Sequence, residues 1–435
     1  MSETPSVKVL EAIKPVNAGT GETTLAYRGL ATAVERYKLS NSARSEKYWD
    51  SEQGSLEELS SAKQLASEYL LRTANKVVES HETNRDLWAD RFTEATIELY
   101  GAPDSTEVAQ LISDEYTSLS QLKDNESVSQ EHVNFLLDTY RPLIDNKAET
   151  TTYNTEATKE QEAIHQYGKV ILERYGPLFD LANLSDKTEF NATELHELFS
   201  STLSWLSENN DNDWSDWEAI QVDGTDLSVD AANRKIKIAS RRETATSQDA
   251  RGLIAHELLV HALRAKNGYK TGDRKLATGL AGYLDAEEGL GILAEHAVTG
   301  ELPGKAYDRY VDIGLALGII DGTQKTRKEI FEISFARQLI RSQVNGTFDS
   351  INLPSLQRRV WSHVDRMYRG GPGDELGTRQ AIFTKDIAYY VGYKKMAKYI
   401  AAQLANGRSA SEVFDDLSQG KFDPTNPQHN DYLNR

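Results

Sequence analysis

Ala255-His256-Glu257-Leu258-Leu259-Val260-His261-Ala262-Leu263-Arg264 decides how this chain is read, because it sets two imidazoles around a carboxylate on one apolar stretch. Two neutral imidazoles hold a zinc ion at about 2.0–2.1 Å, and a glutamate beside the first can take a proton from water on that ion. The familiar helical spacing for this chemistry is H-E-x-x-H, whose histidines differ by roughly 40° around the helix axis. Here they stand one residue further apart. At about 100° per residue this leaves them roughly 140° apart, which a regular α-helix does not aim at one ion. A π-turn, hydrogen-bonded from i to i+5, returns both rings to one face and is frequent at functional sites. The spacing therefore predicts a π-bulge between Ala255 and His261. The competing reading puts the two rings on different faces, with Glu257 a solvated charge.

The surroundings favour a site. In Arg234-Lys235-Ile236-Lys237-Ile238-Ala239-Ser240 the isoleucines alternate with lysines, as in a half-buried strand. Ser247 is the expected N-cap of the next helix, Asp249 suits its positive end, and Asn267-Gly268 marks its expected stop. A strand running into such a helix suits a peptidase, since an edge strand can pair with an extended peptide. A catalytic zinc takes a third protein ligand and leaves one position to water. Asp285-Ala286-Glu287-Glu288-Gly289-Leu290-Gly291, opening a second helix that runs on through Ala297, is the candidate source. Its spacing leaves two readings: Asp285 and Glu288 as a capping box, or a carboxylate ligand. Each glycine costs about 1 kcal/mol in a helix, a cost accepted where another element approaches closely.

Four separated pieces carry a resemblance: His256-Glu257-x-x-x-His261-x-x-Arg264, Glu287-Glu288-Gly289-Leu290-Gly291, Arg366-Met367-Tyr368-Arg369-Gly370, and Phe383-Thr384-Lys385-Asp386-Ile387-Ala388-Tyr389-Tyr390-Val391-Gly392. Together they resemble the tyrosine/phenylalanine carboxypeptidase domain family, the QEGLA-motif proteins related to the microtubule-associated tyrosine carboxypeptidases. The resemblance implies a zincin-like, gluzincin-type metallopeptidase core. It implies that His256, His261 and Glu288 bind one Zn²⁺ and that Glu257 is the general base, taking a proton from zinc-activated water and passing it to the leaving amine. Two positions depart from the family pattern: Glu287 stands where Gln is frequent and Gly291 where Ala is usual. Glu287 thereby competes with Glu288, which is preferred because it immediately precedes the Gly-Leu pair. The Gly291 change is expected to loosen the helix packing without removing a ligand.

A carboxypeptidase also needs a cation for the substrate's terminal carboxylate, and arginine's planar fork binds carboxylates bidentately. Arg369, Arg366 and Lys385 are the candidates, in that order, and Tyr368 and Tyr389 are candidate donors to a developing oxyanion. Glu295, seven residues after Glu288, and Arg264 are candidates for orienting the ligands from behind. The expected function is zinc-dependent removal of a C-terminal residue, Tyr or Phe, from peptides or protein tails. The alternatives are a zinc endopeptidase or aminopeptidase with the same ligands, and a non-catalytic helical binding protein with a structural metal site.

Composition bounds the remainder. The chain has 435 residues, a formal net charge of −18 and no cysteine. Such acidity argues against general binding to nucleic acid or an anionic membrane, and the missing thiol removes disulfides and a nucleophilic cysteine. No run approaches about 18 apolar residues, and no apolar segment follows Lys8 and Lys14. A cytoplasmic location is expected. The fold class expected is mainly α with a small β-sheet. Residues 1–24 read as a flexible arm, 25–150 as a helical accessory region, 151–408 as the catalytic domain and 409–435 as a C-terminal helix with a mobile polar tail. The polar stretch 145–159 reads as a linker, and Ile220-Gln221-Val222 and Leu227-Ser228-Val229 are expected to pair near Lys235 to Ala239.

Overall fold

The computed structural model describes residues 82–144, 154–183, 189–209, 214–224, 227–242, 244–345, 353–368 and 379–434. The expected arm 1–24 and Arg369 lie outside them. In chain order the elements are helices α1 (Glu82–Tyr100), α2 (Ser105–Gln121), α3 (Gln130–Ile144) and α4 (Asn154–Asn183), strand β1 (Glu189–Phe190) and helix α5 (Ala192–Asn209). Strands β2 (Glu218–Val222), β3 (Leu227–Asp230), β4 (Lys235–Ala239) and β5 (Ala245–Thr246) follow. Helix α6 (Ser247–Leu253) then passes into a π-helical segment, Ile254–Ala262, and on into α7 (Leu263–Lys270), α8 (Arg274–Thr278) and α9 (Leu284–Thr299). The last helices are α10 (Gly304–Leu317), α11 (Arg327–Val344), α12 (Leu353–Met367), α13 (Ala388–Ala405), α14 (Ala410–Leu417) and α15 (Pro427–Leu433). This is the mainly helical chain with little β-structure that the sequence predicts. Helix α4 begins inside the stretch read as a linker, because polar opening turns carry no apolar period to be recognised. No helix among the described residues is long and apolar enough to cross a membrane.

The described residues form two compact units, one from within 82–144 and 308–387, the other from within 154–307 and 388–434. The interior of the first holds a buried charge cluster. Arg337 donates to Asp312 at 2.9 Å, Asp308 at 3.2 Å, Glu115 at 3.1 Å and the Tyr140 hydroxyl at 2.8 Å. Asp312 in turn meets His363 Nε2 at 2.8 Å and accepts from Ser334. A buried guanidinium is tolerable because every direction it points in offers an acceptor.

The second unit is organised around α9, which packs on α13, α4, α6 and the π-segment. The closest crossing is glycine on glycine: a Cβ on Gly289 would lie 2.0 Å from the Gly392 carbonyl carbon, and one on Gly392 would lie 2.0 Å from the Asp285 carbonyl oxygen. The cost of Gly289 in a helix is thus explained by close approach. Gly268 plays a similar part: α7 runs through it to Lys270 and does not stop at Asn267-Gly268, since the glycine lets the helix pack on Leu276 and Ala277.

The three-stranded sheet has the order β2-β4-β3, with β2 parallel and β3 antiparallel to β4. Ile236 and Ile238 are fully buried on one side of β4, as the alternation predicts. One expectation is overturned: β4 is the central strand, so neither of its edges is open to a peptide. A second ladder, β1 with β5, leads directly into the helix, which is capped by Thr246 in a capping box with Asp249; Ser247 is its first helical residue and not its cap. The tail expected to be mobile is also packed. His429 is fully buried, accepting from the Asp423 N–H at 2.8 Å and lying 3.0 Å from the Ala281 carbonyl.

Candidate metal centre

The π-segment resolves the spacing problem as expected. Leu263 N–H donates to the Leu258 carbonyl, an i to i+5 bond, and the whole segment is buried. The added residue per turn swings His261 round to His256: their ring centroids are 4.9 Å apart with planes at 77°. Both histidines therefore face one direction, and the reading that separates them is excluded.

Glu288, in the first turns of α9, completes the convergence. Its Oε2 lies 3.7 Å from His256 Nε2 and 4.0 Å from His261 Nε2, and the three donor atoms lie within 4.8 Å of one another. A tetrahedral ion about 2.0–2.2 Å from each donor spaces donors roughly 3.3–3.6 Å apart, and the two gaps to Glu288 lie within a few tenths of an ångström of that spacing. The donor set fits such an ion. Asp285 does not cap α9; Tyr283 occupies the cap position without a side-chain bond, which leaves the capping-box reading of Glu288 without support.

What faces the back of each ring fixes its orientation. His256 Nδ1 lies 3.3 Å from Glu295 Oε2, and Lys305 Nζ reaches the same oxygen at 2.6 Å. His261 Nδ1 lies 2.9 Å from Glu287 Oε1, which also takes Lys421 Nζ at 2.7 Å, while Arg264 pairs with the other Glu287 oxygen. Carboxylates on both Nδ1 atoms leave both Nε2 atoms towards Glu288, the arrangement that prepares imidazoles for a cation. Glu287 is therefore no rival to Glu288: it sits behind His261, fully buried.

The charges agree. Burial, the largest influence, and Lys305 both oppose protonation of His256, yet Glu288, Glu295 and Glu257 outweigh them and lift its pKa to about 9. Burial pushes Glu295 up, but Lys305 and His256 bring it down to about 2. For Glu287 the same contest, burial against Lys421 and Arg264, ends well below the usual carboxylate range. Carboxylate charge from Glu288, Glu295 and Glu257 thus bears on the His256 ring. Glu257 is buried beside His256 and makes no hydrogen bond or ion pair among the described residues.

Gly291 faces the His256 ring, where a Cβ would lie 2.7 Å from Nε2. In place of a loosened helix, this departure from the family pattern gives the ring its room. The remaining sequence candidates are placed differently. Arg366 binds Asp386 bidentately, at 2.7 and 3.0 Å, and its fork is filled; with Tyr368 and Lys385 it belongs to the first unit. The Tyr368 hydroxyl donates to the Lys325 carbonyl at 2.6 Å. Tyr389 belongs to the second unit.

Sequence reasoning missed Lys305 and Lys421 and misjudged Glu287. The placement of Glu287 and Glu295 on one helix, either side of Glu288, was the signal for a paired arrangement. Lys421 left none, being 134 residues from its partner. No curated protein and no solved structure matches the chain. Residues 153–306, which carry both histidines, Glu257 and the glutamate motif, match the family model of the microtubule-associated tyrosine carboxypeptidase, the family that the motifs resemble.

Proposed function

We propose that the chain is a zinc-dependent carboxypeptidase that removes a C-terminal residue, Tyr or Phe, from peptides or protein tails. The observation that carries this reading is the convergence of His256 Nε2, His261 Nε2 and Glu288, with each Nδ1 held from behind. The family match supports carboxypeptidase chemistry over other uses of such a site. His256, His261 and Glu288 would hold the ion, which supplies Lewis acidity and lowers the pKa of water to near neutrality when bound.

The protein's own groups do the remainder. Glu257 follows His256 on the π-segment, and with no hydrogen bond or ion pair among the described residues its carboxylate is available for the base role that the motif resemblance implies. It takes the proton from the attacking water and delivers it to the leaving amine, a role that suits a carboxylate with an open lone pair. With the ion bound, Glu287 and Glu295 would hold both imidazoles in the tautomer that leaves Nε2 to it. From the motif resemblance alone, we assign the substrate's terminal carboxylate to Arg369 or Lys385, since the fork of Arg366 is filled by Asp386. Tyr389 is the tyrosine assigned by the same resemblance to oxyanion stabilisation, since the Tyr368 hydroxyl donates to the Lys325 carbonyl.

The test is mass spectrometry of peptides with varied C-terminal residues after incubation with zinc-loaded wild type and Glu257→Gln, with metal content measured on both. Loss of one C-terminal residue by the wild type alone, with about one zinc per chain in each protein, supports the reading. Internal or N-terminal cleavage replaces it with another peptidase specificity, and bound zinc without any cleavage points to a structural site.

A further inference from the structure

Lys421 lies between α14 and α15, more than a hundred residues past the family match, yet its ammonium is buried against Glu287, with only 6% of its side chain exposed. The Glu287 oxygen it reaches at 2.7 Å is the one that holds His261 Nδ1. The next residue makes a second tie: Arg264, paired with the other Glu287 oxygen, also donates to the Phe422 carbonyl at 2.7 Å. The backbone of Lys421 is fixed in turn. Its N–H donates to the Leu276 carbonyl at 2.7 Å and its carbonyl accepts from Leu280 N–H at 3.0 Å. Phe422 packs with Leu276 and Leu280, and Tyr432 donates to Asp273 at 2.5 Å. The segment from 418 to 433 is a clasp across residues 264–283, and Lys421 is the one cation it sends to the carboxylate behind His261.

We infer that Lys421 is a positioning residue for the metal centre, acting through Glu287 on His261. The inference rests on the proposed metal-binding role of His256, His261 and Glu288. An ammonium is costly to bury unless it is paired and hydrogen-bonded, and here its pairing holds one carboxylate oxygen towards the ring. Without it the two oxygens of Glu287 are unequally satisfied: Arg264 draws the carboxylate to its own side, and the bond to His261 Nδ1 loses its anchor. The ring then turns more freely and presents Nε2 to the ion less often. Groups that orient a ligand from behind are worth about 10–100-fold in metal affinity, and Lys421, one step further back, belongs at the lower end.

The test uses the full chain and zinc alone, with the dissociation constant measured by chelator competition on wild type, Lys421→Met, Lys421→Arg and Tyr432→Phe. Lys421→Met weakens zinc binding about tenfold, Lys421→Arg recovers most of it, and Tyr432→Phe lowers the melting temperature of the metal-free protein without moving the zinc constant. Should Lys421→Met not fold, Lys421→Gln carries the same comparison. A folded Lys421→Met or Lys421→Gln protein with wild-type affinity overturns the inference and leaves the metal site standing. So does a Tyr432→Phe protein weakened as much as Lys421→Met, which would make the clasp merely structural. A wild type that takes up no zinc overturns the proposed metal site and this inference with it.

Discussion

Glu295 Oε2 lies 3.3 Å from His256 Nδ1, and the helix that provides this carboxylate also provides Glu288 and the carboxylate behind His261. One rigid element therefore sets one candidate ligand and the orientation of the other two. Replacing Glu295 with Gln keeps the shape but removes the charge that balances Lys305. Zinc affinity is expected to fall about 10–100-fold, measured by chelator competition, while far-ultraviolet circular dichroism stays as in the wild type. An unchanged constant would show that the His256 ring is fixed by packing alone.

Much of this centre was legible in the chain. Five-residue spacing between the histidines demanded a π-turn, and two glycines in α9 demanded close neighbours; both demands follow from helix geometry and are met by Leu263 to Leu258, by Gly392 and by the His256 ring. What stayed hidden was long-range. The pairing of Glu287 with Lys421, and of Arg264 with the Phe422 carbonyl, joins residues 134 and 158 positions apart, and polar contacts of that kind leave no periodic trace. Strand order was equally silent: the alternation in Lys235 to Ala239 marks a buried face but cannot say that both edges are paired. The cap was misplaced by one residue because Thr246 and Ser247 both carry a hydroxyl, and only the chain direction decides which one meets Asp249 N–H.

Arg337 supplies a stability prediction in the first unit. Its side chain is 1% exposed and serves Glu115, Asp308 and Asp312 together. Arg337→Met strands at least one buried carboxylate, so a loss of about 3–5 kcal/mol is expected, read from urea unfolding. Arg379, itself exposed and paired with the half-buried Asp90, is the internal comparison: Arg379→Ala is expected to cost no more than about 1 kcal/mol. Equal effects at both sites would contradict the reading of Arg337 as the neutralising centre.

Acid should unfold this unit by a definite route. Burial, the strongest influence on both, raises Asp312 and Asp386, but Arg337 and His363 outweigh it for the first and Arg366 and Arg309 for the second, so both carboxyls titrate below their ordinary range. A carboxyl depressed in the folded state binds protons first in the unfolded chain, whose pKa is about 3.9. Its stabilisation is complete above that value and fades as pH falls below it. Urea midpoints are expected to hold between about pH 7 and 5 and to drop below about pH 4, with Asp386→Asn showing a shallower drop from a lower starting stability. A variant whose midpoint falls as steeply as the wild type would remove Asp386 from the account.

Deleting Leu259 tests what the π-segment is for. The deletion restores H-E-x-x-H, the spacing that an ordinary α-helix presents to one ion. The π-turn takes up the extra residue, so a deletion that collapses it to a regular turn leaves α7 nearly in phase with α6, with Arg264 still on Glu287 and the Phe422 carbonyl. The shortened protein is therefore expected to keep about one zinc per chain, with an affinity within about tenfold of the wild type, measured by chelator competition. Loss of zinc by a folded deletion protein would show that the π-turn itself is required, and not only the facing of the two rings that it produces.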